Sequence, residues 1–249
     1  MDVISNEKFF DCAAEYYDSM VDFEKGLERR IKALSNFIEP GMKTAADLGC
    51  GTGLDSISLS MSGISVTGFD ISQKMITQAR KNTKRFAAAA KFCKYSIDKI
   101  PTKFNNRFDF ITSLGNTLAN LNEKQLAGAL SRIYKMLKPG GSALIHILNY
   151  DLILKSGERI VKISRNDNYH IIRFYDFIED HLNFNILKYS TSDINNHELI
   201  TTKIYPHKPE FLKKHLQNAG FEKIKYFENF MKAPFNKRSS KDLVIRVSK

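Results

Sequence analysis

Between Thr44 and Leu148, five short apolar runs alternate with stretches of helical length, and this alternation limits the possible folds more than any other feature of the chain. The runs are TAADL (44–48), SVTGF (65–69), KFCKY (91–95), FDFITSL (108–114) and SALIHIL (142–148). Their continuous apolar character suits strands buried on both faces. The intervening segments LDSISLSMS (54–62), SQKMITQARKNTKRF (72–86) and NEKQLAGALSRIYKML (122–137) carry helical patterns. Strand, helix, strand at this spacing predicts right-handed crossovers and a parallel α/β sheet covered by helices on both faces. KPGG (138–141) is expected to end a helix and turn into the fifth strand.

The flanks read differently. FFDCAAEYYDSM (9–20) and KGLERRIKALSNFI (25–38) predict two amphipathic helices, the second stopped by EPG. After Tyr150 the runs ERIVKIS, YHIIRFYDFIE, LNFNILKYSTS and ELITTKIYP predict a small antiparallel β insertion, with turns at RNDN (165–168) and DINN (193–196). HKPEFLKKHLQNAG is a helix stopped at Gly220, and FEKIKYF and DLVIRVS are the last strands. The expected organisation is a helical segment 1–40, a Rossmann-like core 41–150, a β-rich insertion 151–206 and a return to the core over 207–249.

Gly49, Gly51 and Gly53 follow the first strand directly, and glycines so close together imply that side chains would obstruct a ligand. Their spacing is GxGxG, not the GxGxxG of a dinucleotide site, and Asp47 precedes them. An acid there opposes a pyrophosphate and suits a ligand bearing a cation. Asp70 lies 23 residues after Asp47, at the carboxyl end of the neighbouring strand, where an acid accepts ribose hydroxyls. An amine, a ribose and no phosphate describe S-adenosylmethionine (SAM) better than a nicotinamide cofactor.

Charge and cysteine content exclude several alternatives. The chain has a net charge of +11 and, from Thr201 to Lys249, 12 Lys/Arg against 4 Asp/Glu. These charges alternate with apolar residues and form no Arg-rich arm, so a solvated basic face is favoured over a nucleic-acid surface. Three scattered cysteines form no disulfide framework, and neither they nor the histidines at 170, 181, 197 and 207 have metal-ligand spacing. No apolar run approaches the ~20 residues that span a bilayer and no secretory signal is visible. No metal, no membrane and a cytoplasmic location are expected, with self-association left open.

DLGCGTG followed by VTGFDIS resembles the first motif and the following acid of class I SAM-dependent methyltransferases. YYDSMVDFEKGLERRI (16–31), FDFITSLGNTLANL (108–121), LKPGGSALIHILNYDLIL (137–154) and IYPHKPEFLKKHLQNAGF (204–221) extend the resemblance to the glycine and glycine/sarcosine N-methyltransferases. It implies a seven-stranded sheet and residue roles as follows. Asp47, Gly49, Cys50, Gly51 and Gly53 would form the turn at the methionine part and sugar of the cofactor. Asp70 would hold the ribose, Ile71 and Met75 would lie beside the adenine, and Ser96 and Ile97 would contact it. Tyr17 and Arg29 would fold over the cofactor, Arg29 toward its carboxylate, and Leu114 and Asn116 would stand at the junction with the acceptor. Asn120, Leu148, Asn149, Tyr150, Tyr205 and His207 would serve the acceptor side, with Asn116, Tyr205 and His207 nearest the chemistry.

Two positions depart from the glycine-specific pattern. Those enzymes carry an arginine, a carboxylate clamp, where this chain has Leu148, and a histidine where it has Asn120. The resemblance therefore implies an acceptor less anionic than glycine, unless Arg173 or Lys155 replaces the lost cation. Cys50 is read as a packed thiol and His146 as a core histidine. The expected activity is methyl transfer to a small-molecule acceptor, an amine. The alternatives are an RNA or protein methyltransferase, against which SLGNT stands where base-amino methylation shows (N/D)PP(Y/F), and a SAM-binding module without catalysis.

Overall fold

The computed structural model describes residues 2–165, 168–193 and 195–249, so Asn166, Asp167 and Ile194, within the two expected turns RNDN and DINN, lie outside the described residues. The chain runs β1 (Val3–Ile4), α1 (Asn6–Ala13), α2 (Tyr17–Val21), α3 (Phe23–Ser35), β2 (Thr44–Leu48), α4 (Leu54–Met61), β3 (Ser65–Asp70), α5 (Gln73–Arg85) and β4 (Ala90–Lys94). It continues through β5 (Phe108–Ser113), α6 (Glu123–Met136), β6 (Leu137–Leu148), α7 (Tyr150–Ser156) and β7 (Ile160–Arg165). Then come β8 (Tyr169–Phe177), β9 (Leu182–Ser190), β10 (His197–Ile204), α8 (Pro209–Asn218), β11 (Lys223–Phe227) and β12 (Asp242–Ser248).

The core sheet has seven strands in the order β11-β12-β6-β5-β2-β3-β4. β6, β5, β2, β3 and β4 are mutually parallel, while β12 and β11 close one edge antiparallel. The apolar alternation explains the burial on both faces. Leu48, Phe69, Ile111 and Ile145 pack on one side with Leu126, Ile133 and Phe221, and Ala45, Phe110 and Leu144 pack on the other with Leu34 and Phe37. Strand order reverses at β2, between β3 and β5. In open α/β sheets a ligand crevice lies at that point, outside the carboxyl ends of the strands.

A second sheet, β1-β10-β9-β8-β7, stands beside the core. Its strands β7 to β10 are the expected antiparallel insertion. The helices α1 and α2 join it to the core: Phe9, Ala13 and Met20 pack with Ile171, Ile186 and Ile200 of the insertion and with Met75 of α5.

Four local features depart from expectation. The N-terminal segment contains three helices instead of two, because a turn over 14–16 divides the first expected helix into α1 and α2, while Asp22, left-handed at φ 53°, separates α2 from α3. The two-residue β1 pairs in parallel with Thr201 and Thr202, too short a run to show a period. The seven-residue α7 stands where no helix was expected. The β5–β6 ladder jumps from Phe108–Leu137 to Phe110–Ser142, so KPGG loops out inside β6 rather than separating α6 from a later strand.

Some basic C-terminal residues are paired within the fold. Lys237 reaches Asp151 and Glu210, Arg246 reaches Glu39, and Lys249 bonds the carbonyl of Leu137.

Candidate active site

The glycine turn is stitched to the end of the neighbouring strand. The amides of Gly49 and Cys50 donate to the Phe69 carbonyl at 2.8 and 3.1 Å, and the amide of Gly51 donates to Asp70 Oδ2 at 2.8 Å. Gly49 has φ +71°, and a Cβ there would meet Thr117 Cγ2 at 2.3 Å. Gly51 has φ +51°, yet the nearest protein atom to a Cβ there is Tyr17 Cε1 at 3.9 Å. The space over Gly51 is therefore open to a ligand rather than filled by the fold.

Asp70 is buried at the end of β3. Its second oxygen, Oδ1, accepts from the Ser72 amide at 2.8 Å. Burial pushes its pKa up, and the amides of Ser72 and Gly51 pull it back. A carboxylate has about four lone-pair sites, so two are left for a ligand. Ser72, not Asp70, caps α5, accepting the Met75 amide at 3.0 Å.

These groups open onto one cavity of about 800 Å³, within the range of small-molecule sites. The ends of β2, β3, β4, β5 and β6 all contribute to it, at the topological reversal. Tyr17 and Arg29 close it from the N-terminal helices, Ile71, Met75, Ser96 and Ile97 wall one end, and Leu114, Asn116, Asn120 and Leu148 wall the other. Tyr17 is positioned by its neighbour Asp18, whose Oδ2 accepts from Gln78 and Asn82 of α5, both at 2.9 Å. Ser96 donates its hydroxyl to Asp98.

Asn116, in the left-handed region at φ 70°, has its amide fixed twice. Its Nδ2 donates to Tyr150 Oη at 2.8 Å, and its Oδ1 accepts from the Leu148 amide at 3.1 Å. Burial pushes the Tyr150 phenol well above its ordinary pKa, so it stays neutral. Cys50 lines the cavity, but burial beside Asp70 and Asp47 raises its thiol pKa strongly, which suits packing rather than nucleophilic attack.

Several expected site residues stand elsewhere. Asp47 is buried beneath the turn, where Ser56 donates to it at 2.6 Å and Thr112 at 3.0 Å, tying β2 to α4 and β5. It does not face the cavity, and burial, reinforced by Asp55, pushes its pKa up to about 7. Gly53 is the N-cap of α4 and packs on Ala79. Asn149 is fully buried, donating to the carbonyls of Lys237 and Ser240. Tyr150 acts on the cavity only through Asn116. Tyr205 lines a smaller neighbouring cavity of about 320 Å³. His207 is buried, and its Nε2 donates to the Leu121 carbonyl at 2.8 Å. Burial lowers the pKa of that imidazole. The aromatic and histidine pattern of YPH thus packs between elements.

Further residues line the cavity, among them Arg173, named from the sequence as a replacement for the lost cation, and His146, read there as a core histidine. Arg30 and Asp55 line the cavity as an ion pair at 2.8 Å. His146 also lines it, its Nε2 bonded to Asp242 Oδ1 at 2.9 Å. From the second sheet come Val161, Arg173, Tyr175, Phe184 and Ile186. Arg173 had a readable signal: it shares strand parity with Ile171 and Tyr175, both buried, so a charge sits on an inward face.

With this geometry in view, residues 45–141 match the family described as a methyltransferase domain. The chain carries a class I SAM-dependent methyltransferase domain. It resembles the glycine N-methyltransferase group, as follows. Against the glycine N-methyltransferase of Oryctolagus cuniculus it is 34% identical over 131 residues, which cover 47% of this chain and 44% of that one. Against the glycine/sarcosine N-methyltransferase of Halorhodospira halochloris it is 23% identical over 230 residues, covering 90% of this chain and 82% of that one. The match thus spans less than half of the rabbit enzyme. Among solved structures, a S-adenosylmethionine-dependent methyltransferase from Clostridium acetobutylicum shares the fold with a TM-score of 0.75 at 18% identity, covering 94% of this chain and 96% of that one. The seven-stranded, mostly parallel sheet flanked by helices is thus a fold shared with that neighbour.

Proposed function

We propose that this chain transfers a methyl group from S-adenosylmethionine to the nitrogen of a small-molecule amine. The observation that carries the reading is the meeting of Asp70, with two lone-pair sites to spare, and the open space over Gly51 at the mouth of one cavity. The fit to the cofactor rests on the same two features. When bound, S-adenosylmethionine supplies a methyl carbon made electrophilic by a positive sulfur, and it leaves as S-adenosylhomocysteine (SAH).

The chain's own residues bind, orient and exclude water. Asp70 would accept the two ribose hydroxyls. Gly51 presents bare backbone to the open space in which the cofactor would lie, and Arg29 would face the cofactor's carboxylate. Ile71, Met75 and Ile97 offer an apolar seat for the adenine. Leu114, Leu148 and the second sheet keep water from the reacting atoms. Asn116 is a positioning residue, its amide held by Tyr150 and the Leu148 amide. Alignment of this kind contributes roughly 7–11 kcal/mol in favourable systems. A neutral amine attacks with its own lone pair and needs no strong base beforehand. The second sheet roofs the acceptor end, which supports a small acceptor over a polymer.

A screen with methyl-labelled SAM over amines, phenols, thiols and RNA tests the reading. Label is expected in amines. Label confined to RNA, or to none of the four while SAH binds, refutes it.

A further inference from the structure

We propose that the acceptor carries its amine on an uncharged hydrocarbon body, aryl or alkyl, and that Leu121, Leu148, Tyr175, Phe184 and Ile204 form the seat for that body. The proposal rests on the methyltransferase reading above and names the class of its amine.

The register of the second sheet divides the cavity wall along its length. On the face that lines the cavity, Tyr175 stands opposite Phe184 across β8 and β9, and Arg173 stands opposite Ile186 one rung further on. The rung beyond Arg173 pairs Ile171 with Lys188, whose Nζ lies 4.7 Å from the centre of the Tyr16 ring, at the start of α2. Tyr17, the next residue, stands over Gly51. Arg173 therefore lies toward α2 and the glycine turn. The opposite direction leads to Ile204, which pairs with Leu182 at the end of β10. The amide that follows, of Tyr205, donates to the Ala119 carbonyl at 2.7 Å, in the turn just after Asn116. Ile204 thus stands at the Asn116 end, two rungs or about 13 Å of strand from Arg173.

The wall at that end is apolar. Tyr175 and Ile204 are buried in one cluster with Tyr150, the phenol that holds Asn116, and Leu121, Leu148 and Phe184 pack against it. The Tyr175 and Phe184 rings lie 5.8 Å apart. Burial pushes the Tyr175 phenol up to about 12, so it adds no charge. His146, two residues before Leu148 on the same face of β6, is held by Asp242 Oδ1 at 2.9 Å. The carboxylates that line the cavity are engaged as well: Glu7 meets Lys94 at 2.6 Å, Asp55 meets Arg30 at 2.8 Å, and Asp70, bonded to two amides, serves the ribose. None among the described residues is left to hold an ammonium, so the acceptor reacts as the neutral base, the form that an apolar wall favours. Lys155 is exposed on α7 and does not line the cavity, and with Arg173 set toward the glycine turn nothing replaces the cation lost at Leu148. Glycine, with one methylene and a carboxylate, would leave the five side chains facing water and press its charge against them. A hydrocarbon body displaces that water and sets the amine beside Asn116.

The test uses the full chain in three forms: wild type, Phe184→Ala and Leu148→Ala. Calorimetry at one alkaline pH first measures SAH affinity, then the affinity of the SAH-loaded protein for ethylamine, hexylamine, 2-phenylethylamine and phenylalanine. Wild type is expected to bind hexylamine or 2-phenylethylamine at least tenfold more tightly than ethylamine, the scale of a few methylenes removed from water. Phenylalanine, which adds a carboxylate to 2-phenylethylamine, should bind no more tightly than it does. Each variant should lose at least fivefold in affinity for the tighter amine. SAH affinity within twofold of wild type shows that a variant is folded, and should either fail to fold the other makes the comparison. Equal affinity for ethylamine and the two larger amines, or no binding of any amine, overturns the proposal. So does tighter binding of phenylalanine, which would make the acceptor an anion, and so does unchanged affinity in the folded variants, which would put the body elsewhere. Failure of wild type to bind SAH at all overturns the methyltransferase reading itself, a result separate from the others.

Discussion

Replacing Asp70 with asparagine separates its two tasks. In the folded chain each carboxylate oxygen accepts one backbone N–H at 2.8 Å, from Gly51 and from Ser72, leaving lone pairs toward the cavity. Asp70→Asn keeps the shape but removes the charge and turns one acceptor into a donor. At least one charge-assisted bond to ribose is then lost, worth ~1.5–3 kcal/mol. That corresponds to roughly a 10- to 150-fold rise in the Kd for SAH. Asp70→Ala should do more, because it also strands two buried amides at about 1–3 kcal/mol each, and Tm falls together with affinity. The pH dependence has a defined sign. Burial raises the Asp70 pKa above its ordinary 3.8, and the ionised form is the better acceptor. SAH affinity should therefore weaken on acidification, starting at a pH above that ordinary value, and the asparagine variant should lack this decline. Calorimetry on wild type and both variants at several pH values reads all three effects. If Asp70→Asn binds SAH within twofold of wild type, the ribose assignment is wrong.

Three further predictions follow from local geometry. Gly51→Ala places a methyl in open cavity, so stability should change by only the ~1–2 kcal/mol of a left-handed alanine while SAH binding drops tenfold or more; Gly49→Ala collides with Thr117 and should lower Tm sharply, and thermal melts with and without SAH compare them. Asp47 holds its proton up to about pH 7 in the folded chain but to about 3.8 in the unfolded chain, so wild type should lose stability as pH rises through that window, on the order of 1 kcal/mol per unit, and Asp47→Asn should abolish the slope in denaturant titrations at pH 5 to 8. His207→Gln should leave kcat within twofold in the labelled-SAM assay, because His207 does not line the cavity and is held by the Leu121 carbonyl; a hundredfold loss would return it to the chemistry.

The parallel sheet was legible because its strands are buried on both faces, so runs such as FDFITSL need no partner information to be recognised. The glycine turn and Asp70 were legible for a related reason: close backbone approach and a polar strand end are encoded locally, within one β-α-β unit. What the chain hides is long-range. Asp47 looks from the sequence like a ligand-facing acid, yet Ser56 and Thr112 turn it inward, and Thr112 comes from a strand 65 residues away. Tyr205 and His207 sit in order beside a strand exit, but the amide of Tyr205 is captured by the Ala119 carbonyl, which directs this segment past the cavity. Asn149 is claimed by carbonyls 88 and 91 residues downstream. Such pairings have no local period. Arg173 is the intermediate case. Its inward parity on β8 was readable, whereas its place in the cavity wall depends on how the second sheet sits over the first.

The most direct test of the account is a crystal structure of the full chain with SAH. The account predicts the nucleoside in the bend after β2, with both ribose hydroxyls within hydrogen-bond reach of Asp70 and the sugar edge over Gly51. A nucleoside bound away from Asp70, or held there with its ribose turned from the carboxylate, would contradict it.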